Sequence, residues 1–368
     1  MPYKMKRIVL LQPVIPHYRE EFFSILGKRT EQDIFTYESE KESKSQNFKI
    51  SNVKHIHIAN KSWKAFLLYN PLPLLKRKYD VLVLMLHVGH ITTWLLLMTK
   101  WLHRKKIVLW GQGISVKRYL IEERKPDRKL RWQIAMADGV WLYMEKEREQ
   151  WQRIFPHKPM TAMCNTLTGV EEMTVYSPTD SVGVLKMKYG IEEETILIFC
   201  ARFESNYRRV DLLKEVIKRL DKRRFGFVII GAGKNKPDFS PYSNVHDFGA
   251  VYDTNIKREL FALSDIYFQP GWVGLSIVEA MAYGKPVFTF VRSEDTLQCV
   301  EYSYIRDGVN GKILTDIGHC IRIIDHISRE ETTRMGENAR RYVREHLMVR
   351  DMVDNAINVI EQVVGGLH

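Results

Sequence analysis

Phe268-Gln-Pro-Gly-Trp-Val-Gly-Leu-Ser-Ile-Val-Glu-Ala-Met-Ala-Tyr-Gly-Lys-Pro-Val287 is the stretch that decides the fold. An apolar strand ends at Gln269-Pro270, a loop carrying Gly271 and Gly274 follows, and a helix starts near Leu275 and stops at Gly284-Lys285-Pro286. Glycines let backbone N–H groups come close to an anion, and a helix N-terminus adds a dipole of the right sign. Glu279 falls about one turn into that helix, where its carboxylate can accept hydrogen bonds from a vicinal diol such as a ribose. A purely structural reading stands beside this one, because Ser276-x-x-Glu279 is also a capping box.

Working outward, the strand–turn–helix scheme recurs along the whole chain. Candidate strands in the first half are Arg7–Leu11, Asp33–Thr36, Val81–Met85, Lys106–Trp110, Gly139–Tyr143 and Thr161–Met163. Helical stretches such as Tyr18–Gly27 and Ile91–His103 lie between them. The second half restarts with Thr195–Ala201, Phe225–Ile230, Val245–Phe248, Ile266–Gln269, Pro286–Phe290 and Gly311–Leu314. Such alternation predicts α/β architecture with parallel sheets, and 368 residues suit two domains. The expected division is a Rossmann-like domain over 1–168, a Thr/Ser/Gly-containing linker over 169–185, and a second Rossmann-like domain over 186–345. A terminal helix over 346–368 is expected to return to the first domain. Ligands of such sheets bind at the carboxyl ends of the strands, so the chemistry is expected on those loops, with the two domains facing across a cleft.

Composition sets bounds on partners. No apolar run reaches the length of a membrane span, and the N-terminus reads as a first strand, not a signal peptide. The four cysteines lack CxxC spacing and read as reduced thiols, which predicts a cytoplasmic protein. Charge is uneven: residues 1–165 hold 30 Lys and Arg against 15 Asp and Glu, while 166–368 hold 26 against 29. With no nucleic-acid-binding motif alongside, that basic half points to a phosphorylated substrate or an anionic membrane surface, and hence to a peripheral position at the inner face of the cell membrane. Ile91, Trp94, Leu95, Met98, Trp101 and Leu102 form a helical apolar stripe ending in Arg104-Lys105-Lys106. Trp63, Phe66 and Leu67, with Lys61 and Lys64, read as a shorter second stripe. A core helix packed on the sheet is the simpler reading of such a stripe; an interfacial helix is the other.

The segment Phe268–Val287 resembles the nucleotide-sugar motif of family-four (glycosyl transferases group 1) retaining glycosyltransferases of the GT-B fold. Gly274, Leu275, Glu279, Ala280, Met281, Ala282, Gly284, Pro286 and Val287 match its pattern. The first glutamate of the family's glutamate pair, which touches the transferred sugar, falls on Gly271, and the backbone amides from Gly271 through Trp272, Val273 and Gly274 to Leu275 are candidates to serve in its place. The resemblance implies that this loop, with Ser276 and Glu279, binds the donor. It also implies that Arg202 and Arg208 clamp the donor diphosphate, with Arg209 a competitor for Arg208, and that Gly231 in Ile229-Ile230-Gly231-Ala232-Gly233 is a donor-loop glycine. Val245–Val251 resembles the base-binding region.

In the first half, Gln12–Arg19 corresponds to the family's loop beside the donor phosphate and acceptor, with His17, Tyr18 and Arg19 as candidate acceptor contacts. Leu109–Gly113 corresponds to the loop beside the transferred sugar, and His87, His90 and Glu145 end strands on the same side. His87, then His17, are the candidates for handling a proton or contacting a sugar. What the resemblance implies is an enzyme without a metal or other cofactor, moving a hexose with retention from a UDP- or GDP-type nucleotide sugar to a lipid-linked or polysaccharide acceptor in surface polysaccharide biosynthesis. A nucleotide-sugar 2-epimerase of the same fold, or an inactive GT-B partner subunit, is the alternative.

Overall fold

The computed structural model describes residues 6–38 and 51–365. The chain divides into two compact units, Met1–Thr168 with Val349–His368, and Gly169–Met348.

In the first unit the strands β1 (Arg7–Gln12), β2 (Glu31–Thr36), β3 (Ile56–His57), β6 (Val81–Met85), β7 (Lys106–Gly111), β8 (Gly139–Leu142) and β9 (Met160–Ala162) form one parallel sheet, ordered β3-β2-β1-β6-β7-β8-β9. Its central strands are almost continuous runs of buried Val, Ile and Leu, as a parallel sheet covered on both faces requires. The helix Val349–Gly365 belongs to this unit. A side chain at Gly139 would come within 2.8 Å of Val359 and Val363, so the glycine at the start of β8 is what lets that helix lie close. Asn355 Nδ2 fixes it by donating to the Ala162 carbonyl (3.1 Å), and Arg29 pairs with Asp354.

In the second unit β10 (Thr195–Cys200), β11 (Phe225–Ile230), β12 (Val245–Asp247), β13 (Ile266–Phe268), β14 (Val287–Phe290) and β15 (Gly311–Leu314) form a parallel sheet ordered β12-β11-β10-β13-β14-β15. The strand order reverses between β10 and β13. Chains leaving neighbouring strands there turn to opposite faces and open a crevice at the carboxyl ends, the usual ligand position of an open α/β sheet.

Three local expectations are corrected. Residues 169–185 are not an irregular linker: Val170–Val175 is helical and a second helix, Val182–Tyr189, begins within the same segment. Ser181 caps the second helix and Gly190, at φ 64°, ends it. The shorter apolar stripe is not helical either. Asn60–Trp63 (β4) and Phe66–Tyr69 (β5) pair antiparallel as a hairpin, with Lys64 at φ 54° in the turn. Finally, the long stripe is not a core face. Helix Ile91–Met98 buries Thr92, Thr93, Leu96 and Leu97, and turns Ile91, Leu95 and Met98 outward.

Candidate functional site

At the switch point of the second unit, β13 runs out into Gln269, which is fully buried. Its Oε1 accepts from Tyr267 Oη (2.7 Å) and Ser276 Oγ (3.0 Å), and its Nε2 donates to the carbonyls of Gly271 (3.0 Å) and Trp272 (2.7 Å). One amide thus sets the course of the whole loop. Gln298, also fully buried, holds the other side: its Oε1 accepts the Val273 N–H (2.9 Å), and its Nε2 donates to Thr289 Oγ1 (2.9 Å) and the Phe290 carbonyl (2.8 Å). Buried amides with every position satisfied rigidify a loop strongly.

These bonds narrow which of the amides from Gly271 to Leu275 can serve in place of the sugar-touching glutamate. The Trp272 N–H donates to the Leu297 carbonyl (2.8 Å) and the Val273 N–H is held by Gln298. The N–H groups of Gly274 and Leu275 have no intramolecular acceptor among the described residues. Trp272 itself sits at φ 54°, a strained position for a bulky residue, with its ring stacked on Tyr207 at 4.7 Å and 21°.

Gly271 has a steric reason. A Cβ there would lie 2.5 Å from the Tyr207 carbonyl oxygen and 2.9 Å from Arg209 Cγ. The short 3-10 turn Asn206–Arg208 fills the space in which a glutamate at this position would have to start.

The capping-box reading also fails. Ser276 Oγ points back to Gln269, and the helix Ser276–Ala282 has no side-chain cap. Glu279 instead pairs with Lys257, on the helix Thr254–Leu263, at 2.7 Å to each carboxylate oxygen. Burial pushes the Lys257 ammonium down, but the adjoining Glu279 carboxylate outweighs it and holds the group well above the ordinary lysine value. An ionised carboxylate has about four acceptor positions. Lysine occupies two, so Glu279 keeps capacity for a diol.

Arg202 follows β10, and Arg208 closes the 3-10 turn Asn206–Arg208 after it. Arg208 is partly buried and its Nη1 donates to the Trp272 carbonyl (2.6 Å). Burial lowers its pKa from the ordinary arginine value, and the nearby positive charge of Arg202 lowers it further. Arg209, at φ 52°, is committed to Asp211 (2.7 Å) and Thr296. Gly231 and Gly233, at φ 151° and 147°, let the exit of β11 cross β10 closely: a Cβ on Gly231 would meet the Ala201 carbonyl at 2.1 Å. A Cβ on Gly233 would meet the Phe203 backbone at 2.6 Å, so the close crossing requires glycine at both positions.

In the first unit, His87 ends β6 and is exposed; its Nδ1 accepts the Gly89 N–H (3.1 Å), which leaves the ring proton on Nε2. His90 is buried 4.7 Å away, centroid to centroid, and burial holds its pKa down at about 4. His17 is exposed on the turn after β1 and packs edge-on to Tyr18. Arg19 is not a surface contact: it is buried, bonded to Asn165 and Met352, and lies 5.8 Å from the rings of Tyr18, Trp110 and Tyr143. Glu145 is exposed at a helix start and paired with Arg148. Gly113 offers its carbonyl to Trp151 Nε1 (2.8 Å).

Sequence reasoning missed Gln269, Gln298, Lys257 and Tyr207 as parts of this assembly. A signal existed for Gln269, a polar side chain closing a wholly apolar strand. Lys257 and Gln298 are distant in sequence and carry no local mark.

Two parallel-sheet Rossmann-like units are the architecture of the GT-B fold, which solved structures similar to this chain share. Residues 194–329 match the family model Glycosyl transferases group 1. The fold extends over the whole chain. A glycosyltransferase from Rickettsia africae ESF-5 is similar with a TM-score of 0.66 at 16% identity, covering 98% of this chain and 99% of that one. The lipopolysaccharide outer core galactosyltransferase WaaB is similar at 0.62 and 14% (96% and 99% covered). A mutant of S. aureus TarM, in complex with fondaparinux, α-GlcNAc-glycerol and UDP, is similar at 0.60 and 12% (96% and 99%). Among curated proteins none matches this chain.

Proposed function

We propose that the protein moves a hexosyl group, with retention and without a metal, from a UDP- or GDP-type nucleotide sugar to a lipid-linked or polysaccharide acceptor, in surface polysaccharide biosynthesis. The observation that carries this reading is Glu279, anchored by Lys257 and next to the loop Gly271–Leu275. In the proposed complex Glu279 accepts from the ribose hydroxyls. The free N–H groups of Gly274 and Leu275, with Arg202 and Arg208, receive the diphosphate. As the bond from the anomeric carbon to the phosphate oxygen breaks, negative charge grows on the leaving nucleotide diphosphate, and the arginine pair stabilises that charge where it develops. Trp272, held at its strained φ, takes the place of the sugar-touching glutamate on the loop, and His87 Nε2 and His17 serve the acceptor side. The solved relatives that support this reading include one with UDP and one named for lipopolysaccharide.

The experiment is incubation of the purified protein with UDP- and GDP-sugars, with and without membrane extract or oligosaccharide acceptor, followed by mass spectrometry. The proposal predicts released nucleotide diphosphate and a mass gain of one hexosyl group on the acceptor. An epimerised sugar formed without acceptor would replace it with the epimerase reading. Nucleotide binding without turnover in any mixture would favour an inactive subunit.

A further inference from the structure

We infer that the surface formed by Ile91–His103 and the β4–β5 hairpin is a docking face for an anionic lipid bilayer. Leu95, Met98, Trp101 and Leu102 are 53%, 65%, 74% and 61% exposed. Leu95 and Met98 lie on the helix Ile91–Met98, whose opposite face supplies Leu96 and Leu97 to the core, and Trp101 and Leu102 on the short helix Lys100–His103 that follows it. A helix that already has a buried side has no folding reason to carry a second apolar one. On the hairpin, Trp63 (69% exposed) stacks on Phe66 at 6.3 Å, with Lys64 Nζ 5.2 Å from the Trp63 ring, and Leu68 is exposed beside them.

The two elements are fixed to one another. The Leu67 N–H donates to the Gly89 carbonyl (2.9 Å), and Thr92 Oγ1 both receives from the Tyr69 N–H and donates to the Tyr69 carbonyl, each at 2.9 Å. Hairpin and helix therefore present their apolar groups from one scaffold.

Charge selects the occupant. Residues 51–106 contain ten Lys and Arg and a single acid, Asp80. Lys61, Lys64 and Arg104 are exposed next to the apolar groups. Exposed Trp, Leu and Met edged by Lys and Arg match the boundary between acyl chains and anionic headgroups, where the aromatic ring sits among headgroups and the cations lie on phosphates. An interface with a second copy would bring this uniformly basic region against itself. Among the described residues no helix is long and apolar enough to cross a membrane, so the contact is with the surface of the bilayer. This inference rests on the proposed lipid-linked acceptor for its purpose, but its evidence is separate from the donor site.

The test is sedimentation of the full chain with phosphatidylcholine vesicles with and without phosphatidylglycerol, at low and high salt, with no nucleotide sugar or acceptor present. The expected result is binding to the anionic vesicles only, weakened by salt, and reduced about tenfold or more in Leu95→Glu/Met98→Glu and in Trp63→Ser/Phe66→Ser. Thermal unfolding and circular dichroism of both variants should match the parent, which verifies their folding without any use of nucleotide and separates this question from the donor-site reading. No sedimentation of the parent protein, or equal sedimentation of parent and variants, would overturn the inference. So would a dimer in analytical ultracentrifugation that the same substitutions dissociate.

Discussion

A Cβ atom built on Gly271 would stand 2.5 Å from the carbonyl oxygen of Tyr207. Real Cβ atoms do not approach that closely, so the loop after β13 and the turn after β10 are complementary: one can be tight because the other carries no side chain. The missing glutamate of the family pattern is thus a consequence of how Asn206–Arg208 packs. Restoring it by Gly271→Glu should not add a sugar contact. It should force the turn outward, lower stability by about 1–3 kcal/mol as overpacking does, and weaken nucleotide binding. Thermal unfolding together with calorimetry checks both. A variant as stable as the parent, with tighter donor binding, would show that the turn yields freely.

Lys257→Met should remove the partner that keeps Glu279 oriented. An unpaired, mostly buried carboxylate is costly, and the expected loss is about 1–3 kcal/mol, reduced from that of a fully buried pair because both groups keep some solvent. Nucleotide affinity should fall with it. The double variant Lys257→Met/Glu279→Leu should recover stability but not binding. Recovery of both would move the nucleotide contact elsewhere.

Gln298→Ala should cost about 1–3 kcal/mol, since it strands the buried Val273 N–H and removes the donor to the Thr289 hydroxyl oxygen, which keeps only its own donation to the Pro270 carbonyl. The loop then loses one of its two amide anchors, so binding should weaken more than the stability change alone implies. An unaltered melting curve would mean that water replaces the glutamine.

The first unit should respond to acid through His90. Its folded pKa of about 4 lies below the ordinary histidine value of 6.5, so the unfolded chain takes up the proton first as pH falls. Stability is fully present above about pH 6.5 and is lost on going down towards pH 4, by up to about 3 kcal/mol. His90→Asn should flatten that part of the pH profile, measured by thermal unfolding from pH 7 to pH 4 (about the range of the two values). Equal slopes for parent and variant would assign the acid sensitivity to other groups.

How far the sequence discloses this molecule depends on how local the signal is. The strands that carry the two sheets' cores, such as β6, β7, β10 and β11, are legible because each is an apolar run between turn residues, and β3, the two-residue edge strand, is too short to leave one. Trp63 and Phe66 mislead, since three-residue spacing suits a helix, while the positive φ of Lys64 that makes the hairpin leaves no mark in residue type. The stripe Ile91–Leu102 shows periodicity but not direction: Thr92 and Thr93 face inward through hydrogen bonds to Tyr69, which no hydropathy pattern announces. At the site, Glu279 and the glycines are readable because they lie on one continuous stretch. Lys257, Gln298 and Tyr207 arrive from other elements, and only the packed sheet brings them together.

The claim on which the rest depends is that Glu279, steadied by Lys257, holds a nucleotide. Isothermal titration of UDP and of GDP into the parent protein and into Glu279→Ala tests it directly. The account predicts saturable binding of one of the two by the parent, and a loss of about tenfold or more in the variant, worth about 1.4 kcal/mol or more. Absence of binding of either nucleotide to the parent at millimolar concentration, or equal affinity in a folded Glu279→Ala, would contradict it.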